Sequence, residues 1–205
     1  MTKYVIFDVE TTGLTKTDEV IQFSAFVLDD SFSVKSAVNF YSDTQVPISA
    51  GAFNTHHLTK AKLNQLAGGE FFEDNWMKLV DELRQHQVIW VDWCNGSFDE
   101  RMINQTLENN GLPDYFHFPV SPDLKVCRKN RFSVFNMMRA LCQKLGVRSL
   151  NLASAVATLP FTKEQINNIY SSIAMQVPNL DDELRYHNAL YDAFVTMILF
   201  KYYFT

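Results

Sequence analysis

The sequence predicts an α/β fold in which a mixed central sheet is flanked by helices. Three observations lead there. Three β-rich segments come first, at Tyr4–Asp8, Val20–Leu28 and Phe32–Tyr41. Segments of helical period then alternate with a further apolar strand at Val88–Val91. The last fifteen or so residues are apolar enough to form a helix packed on the sheet.

Tyr4-Val-Ile-Phe-Asp8 is a short run of β-formers and reads as a buried strand. Asp29-Asp30-Ser31 supplies turn chemistry between the second and third segments, which makes them a hairpin. A loop through Pro47 and Gly51 leads to a short helix from about His57 to Leu66, ended by Gly68-Gly69. Phe72, Trp76, Leu79, Val80 and Leu83 recur at helical spacing, which predicts a helix over Phe72 to His86. After Val88–Val91 another helix runs to Asn110-Gly111, with Gly111 as its C-cap. Phe135 to Leu145 has the same period and stops at Gly146. The stretch from Gly146 to His187 is longer than a loop in a compact domain needs. Two helices are predicted to fill it, over Ser149–Leu159 and after Thr162. Thr162 and Gln165 form a capping box there, and Ile166, Ile169, Tyr170 and Ile173 make an apolar stripe. The chain thus reads as one domain over residues 1–205, with a helical elaboration at about 147–186.

The 205 residues are 47% hydrophobic and 20% charged, an ordinary globular composition that excludes disorder, collagen-like repeats and a disulfide scaffold. No apolar stretch approaches the roughly 18–20 residues of a membrane span. Tyr4–Phe7 is cut by Asp8 and Glu10, which argues against a signal peptide. Cys94, Cys127 and Cys142 form no CxxC pair and leave an odd count, which favours reduced thiols and a cytoplasmic location. The net charge of −5 argues against coating nucleic acid through bulk positive charge. Yet Lys125, Arg128, Lys129, Arg131, Arg139, Lys144, Arg148 and Lys163 span a stretch with no Asp or Glu. That run is either a solvated face or a contact for an anionic ligand.

Three motifs carry chemistry. In Phe7-Asp8-Val9-Glu10-Thr11-Thr12-Gly13-Leu14, strand alternation projects Asp8 and Glu10 together while Phe7 and Val9 enter the core. Two neighbouring carboxylates at a buried strand end repel one another and lose solvation, and divalent cations remove both objections. The alternative is a strand end with two solvated acids. In Asn95-Gly96-Ser97-Phe98-Asp99-Glu100, the Ser97/Glu100 spacing suggests a capping box that places Asp99 in a first helical turn. Asp99 could also serve only the helix dipole. In His187-Asn188-Ala189-Leu190-Tyr191-Asp192, side chains five apart on a helix would diverge by roughly 140°. For both to reach one site, His187 must precede the helix, with Asn188 as N-cap. Histidine's ordinary pKa of ~6.5 suits proton transfer near neutrality.

Taken together, these motifs resemble those of the DEDDh 3′→5′ exonuclease superfamily, which includes the proofreading subunit of bacterial replicative polymerase, RNase T, oligoribonuclease and exonuclease X. Asp8 and Glu10 match the first motif, Asp99 the second, and His187 with Asp192 the third. The match spans nearly the whole chain in order, and Asn54-Thr55-His56-His57-Leu58-Thr59 is similar to a stretch near the terminal nucleotide. Chain length, Asn-x-Ser-Phe-Asp, Asn136-Met137 and His-x-Ala-Leu-Tyr-Asp look most like exonuclease X. Two departures stand out: Cys94 where His often precedes the motif asparagine, and His57 where Gly or a basic residue is usual.

The resemblance implies a ribonuclease H-like fold and two-metal hydrolysis. Asp8, Glu10, Asp99 and Asp192 would bind two divalent ions, Mg²⁺ or Mn²⁺, and His187 would act as general base. Thr11, Leu14, His56 and Asn95 would lie near the terminal nucleotide. The implied partner is nucleic acid with a free 3′ end, DNA favoured over RNA, in a role such as DNA repair. No membrane is implied, and homo-oligomerisation is left open. The rivals are a haloacid dehalogenase-like phosphatase with Asp8 as nucleophile, a catalytically silent nucleic-acid binder on the same fold, and an RNA-trimming exoribonuclease. The first leaves Asp99, His187 and Asp192 unexplained.

Overall fold

The structure is a computed structural model that describes residues 2–94, 96–112, 132–175 and 187–205. Asn95, Cys127 and the basic residues Lys125, Arg128, Lys129 and Arg131 lie outside the described residues.

Strands β1 (Thr2–Thr11), β2 (Val20–Leu28) and β3 (Val34–Tyr41) form an antiparallel meander. Strands β4 (Gln87–Asp92) and β5 (Phe132–Asn136) continue the sheet in parallel on the other side of β1. The order is β3-β2-β1-β4-β5, so β1 is the central strand. This mixed sheet flanked by helices is the predicted architecture.

Alternation along β1 divides the core in two. Val5, Phe7 and Val9 pack with α3 (Phe72–Leu83) and α4 (Phe98–Asn109). Tyr4 and Ile6 face the other layer, made by α5 (Met137–Leu145), α6 (Leu152–Val156), α7 (Lys163–Ala174) and α8 (Ala189–Phe204). Behind Asp8 the first layer is aromatic: Phe7 meets Trp90 edge-on at 5.4 Å, and Trp76 lies 5.6 Å from Trp90. Such pairs add about 0.5–1.5 kcal/mol each beyond their burial. They hold rigid the strand that carries the first motif. Helix α8 is apolar all round and buried from Ala189 to Phe200, so it is a central core element and not an amphipathic cover.

The hairpin, α3, Gly68 and Gly146 as helix terminators, and the Thr162/Gln165 capping box all stand where the sequence places them. Four features differ. The segment through Gly51 is not a loop but helix α1 (Ala50–His56), capped by Ser49; His57 at φ 60° separates it from α2 (Lys60–Ala67). Helix α1 is mostly exposed, so no apolar stripe announced it. Phe132–Asn136 is an edge strand, and the helix begins only at Met137, with Asn136 as N-cap. Helix α6 covers five residues of the longer span expected over Ser149–Leu159. Ser97 sits at φ 64° and makes no side-chain cap bond, so the predicted capping box with Glu100 does not form. Glu100 is buried instead, with a different partner described below.

Candidate active site

Three element ends converge on one point. Between Glu10 and Thr11 the β1–β2 register shifts, a bulge of the kind that re-aims side chains at a strand end. Asp8 and Glu10 project from the face shared with Tyr4 and Ile6, toward α8, whose first turn carries Asp192. Oxygen atoms of Asp8, Glu10 and Asp192 all lie within 4.8 Å of one another. Asp99 enters from the first turn of α4, only 3% exposed.

Crowding shows in the acidities. Burial, then the charges of Asp99, Asp192 and Glu10, raises the Asp8 carboxyl well above the usual carboxylate range. Asp99 is raised likewise by burial and by Asp92, Glu100, Glu10 and Asp192. Burial pushes Asp192 up to about 7, although the amide of His187 works against the shift. Asp99 Oδ2 and Asp192 Oδ1 are buried with no hydrogen-bond partner among the described residues. Buried oxygen atoms without donors are costly, and hard divalent cations satisfy such donor sets. The residues present therefore fit a metal site built from oxygen ligands.

His187 precedes α8 at φ 62° with its side chain exposed. Its backbone amide donates to Asp192 Oδ2 at 3.0 Å. Asn188 caps α8 by accepting from the Leu190 amide at 3.1 Å. Gln22, opposite Glu10 in the β1–β2 register, holds this junction from below: its Nε2 donates to Asn188 Oδ1 at 3.3 Å and its Oε1 accepts from the Ala189 amide at 3.3 Å. One buried glutamine thus ties the third motif to the strand beside the first. No sequence pattern singles it out.

A second acidic cluster lies behind Asp99. Asp92, Cys94 and Glu100 are all buried, with ligating atoms within 4.8 Å. The Cys94 thiol donates to Asp92 Oδ2 at 2.9 Å, and Asn136 Nδ2 donates to Asp92 Oδ1 at 3.0 Å. Asp92 and Glu100 are hydrogen-bonded to each other, and burial followed by the Asp92 charge pushes Glu100 up to about 9. Glu100 therefore holds the proton and donates. Burial and the neighbouring Asp99 raise the Cys94 thiol, so it is a neutral donor and not a nucleophile. The sequence marks Cys94 only as a departure from the motif.

Beside the carboxylates lies a cavity of about 310 Å³. Glu10, Thr11, Leu14 and His56 line it together with Thr55 and Phe98, which stand inside the sequence motifs but have no role assigned there. Leu14 is 75% exposed at the cavity mouth. His56 is buried: its Nδ1 accepts from the Leu58 amide at 2.9 Å, which leaves Nε2 to donate to the Thr11 carbonyl at 3.2 Å. The ring braces the cavity wall through both nitrogens.

A family model described as exonuclease, of the RNase T type, matches residues 5–152, well over half the chain. The chain belongs to this exonuclease family. Among solved structures, exonuclease I gives a TM-score of 0.65 at 17% identity over 98% of this chain and 41% of that one. E. coli exonuclease I in complex with a dT13 oligonucleotide gives 0.65 at 16% identity, with the same coverage. The shared architecture is the ribonuclease H-like exonuclease fold. A curated relative, the PolC-type DNA polymerase III of Ureaplasma parvum, is 26% identical over 145 residues, 70% of this chain and 10% of the polymerase. The exonuclease chain described here thus spans about two fifths of exonuclease I and a tenth of the polymerase. No helix among the described residues is long and apolar enough to cross a membrane.

Proposed function

We propose that this chain, as a single domain with its helical elaboration at about 147–186, is a metal-dependent 3′→5′ exonuclease that releases nucleoside 5′-monophosphates. The observation that carries the reading is the convergence of Asp8, Glu10 and Asp192 within 4.8 Å, beside the buried, partnerless oxygen of Asp99. Asp8, Glu10, Asp99 and Asp192 would hold two divalent ions, Mg²⁺ or Mn²⁺. When bound, such ions would lower the pKa of water and offset charge on the attacking and leaving oxygens.

The chain's own residues do the rest. His187 takes the proton of the attacking water on its exposed ring, while its amide keeps Asp192 oriented. The new P–O bond forms as the bond to the 3′ oxygen of the preceding nucleotide breaks, and solvent protonates that oxygen. Thr11, Leu14 and His56 form the wall against which the terminal nucleotide rests. Asn95 is proposed beside it.

DNA is the favoured substrate. The support is that solved structures of the similar exonuclease I hold dT13 and dA16 oligonucleotides, and that the polymerase relative is a DNA polymerase by name. Within the superfamily, a likeness to exonuclease X is supported by Asn136-Met137 and His-x-Ala-Leu-Tyr-Asp at 187–192. A cytoplasmic DNA-repair role accords with this. Degradation of matched single- and double-stranded DNA and RNA with Mg²⁺ tests the reading. Faster loss of RNA than of both DNA forms would replace it with exoribonuclease, and binding without loss would replace it with a silent module.

A further inference from the structure

Outside the metal-ligating set, one buried carboxylate gathers three hydrogen-bond donors from its own turn. Asp18, 6% exposed, lies in the turn between β1 and β2. Its Oδ1 accepts from the Thr12 hydroxyl at 2.8 Å, and its Oδ2 accepts from both the amide and the hydroxyl of Thr15 at 2.6 Å. Burial alone would raise its pKa, but the bonds from Thr15 and Thr12 outweigh that and lower it, so the group is an anion at neutral pH. Thr12 closes a second ring, accepting from the Glu19 amide at 2.9 Å.

The carboxylate also faces a cradle that only glycine permits. A Cβ placed on Gly13 would stand 2.7 Å from Asp18 Oδ2, far inside contact distance. The turn is fastened to α4 as well: Gln105 Nε2 donates to the Thr15 carbonyl at 2.9 Å, and the Val20 amide donates to Thr106 Oγ1 at 2.9 Å. The segment so clamped supplies Thr11, Gly13 and Leu14 to the lining of the 310 Å³ cavity, to which Phe98 at the start of α4 also contributes.

We propose that Asp18 is a positioning residue for substrate: through Thr12, Gly13 and Thr15 it fixes the Thr11–Leu14 wall at the distance from Phe98 that seats the terminal nucleotide. The proposal rests on the exonuclease reading for its substrate class. A carboxylate suits the role because it alone accepts from three donors at once, and an amide of the same shape would turn an NH₂ toward one of them. Its loss loosens a wall without removing any oxygen from the metal-ligating set.

The test compares wild type with Asp18→Asn, Asp18→Ala and Gly13→Ala. Asp18→Ala is expected to raise KM for an oligonucleotide and the inhibition constant of a nucleoside 5′-monophosphate by about tenfold, with kcat within about threefold. Mn²⁺ affinity should stay within about twofold. Asp18→Asn should fall between wild type and alanine, and Gly13→Ala should reproduce the KM defect by displacing the carboxylate. Amide exchange across residues 12–19 should accelerate while β1 stays protected. Nucleotide affinity that is unchanged despite a loosened turn overturns the proposal. So does a rise in KM accompanied by comparable losses of kcat and Mn²⁺ affinity, which marks a merely structural residue. Should Asp18→Ala not fold, Gly13→Ala decides on the same readouts. A wild type that leaves oligonucleotides intact defeats the exonuclease reading, and mononucleotide binding with amide exchange then decides the positioning role alone.

Discussion

The His187 amide donates to Asp192 Oδ2 at 3.0 Å, across the five-residue step that enters α8. A helix through both residues would point their side chains roughly 140° apart. The chain avoids this by leaving His187 ahead of the helix at φ 62°, so that backbone orients the carboxylate and the ring stays accessible.

That division of labour predicts how His187→Ala behaves. Its kcat should fall by ~10²–10⁴, the usual weight of a general base, while Mn²⁺ affinity stays near wild type because the amide remains. His187→Gly should match it in rate and gain stability, since glycine adopts positive φ without strain. Steady-state rates, Mn²⁺ titration and thermal melts check both variants. A near-wild-type rate in His187→Ala would show that the ring is not the base.

Asp8→Ala and Asp192→Ala should each reduce hydrolysis below detection, because each removes an oxygen from a site that must bear two dications. EDTA should silence the wild type, and Mg²⁺ or Mn²⁺ should restore it. Melts of the metal-free variants at pH 8 should lie above wild type, since each substitution removes a carboxyl whose burial raises its pKa, and loss of Asp192 also removes a charge that raises Asp8 and Asp99. A destabilised Asp8→Ala would contradict that electrostatic account.

Burial of these carboxyls sets a pH dependence. Asp192 is raised to about 7, so between its unfolded value near 4 and pH 7 the folded state holds the extra proton. Stability of the metal-free protein then falls as pH rises through this window. A linkage of about 1–2 kcal/mol corresponds to roughly 2–8 °C for a chain of this size. Melting in EDTA should thus be higher at pH 5.5 than at pH 8, and the stabilisation by Mn²⁺ should grow with pH. An increase in metal-free melting temperature over that range contradicts the prediction.

Glu100 behaves differently because it stands behind the metal-ligating set, hydrogen-bonded to Asp92 and raised to about 9. Glu100→Gln mimics its protonated form at every pH. It should be neutral at pH 6 and stabilising near pH 9.5, where wild-type Glu100 must ionise inside the protein. Melts of both proteins in EDTA at the two pH values check this.

Much of the site was legible where chemistry follows local period. Strand alternation put Asp8 and Glu10 on one face, and helix geometry required His187 to lie before α8; the structure has both. What stayed hidden depends on side chains that meet across the fold. Gln22 reaches Asn188 over 166 residues, and Gln105 reaches the Asp18 turn over 87, with no repeat to announce either. Glu100 misled because its spacing from Ser97 satisfies a capping box, yet a buried bond to Asp92 won over a local cap. Strand β5 was missed because it is five residues long and runs directly into α5.

The most direct test of the central claim is product analysis on a single-stranded DNA oligonucleotide carrying one label at its 5′ end and another on its terminal 3′ nucleotide, incubated with Mg²⁺. The account predicts immediate release of the 3′-labelled nucleoside 5′-monophosphate and a ladder of 5′-labelled strands shortening one nucleotide at a time, both abolished in Asp192→Ala. Early loss of the 5′ label, nucleoside 3′-phosphates as product, or an intact oligonucleotide would contradict it.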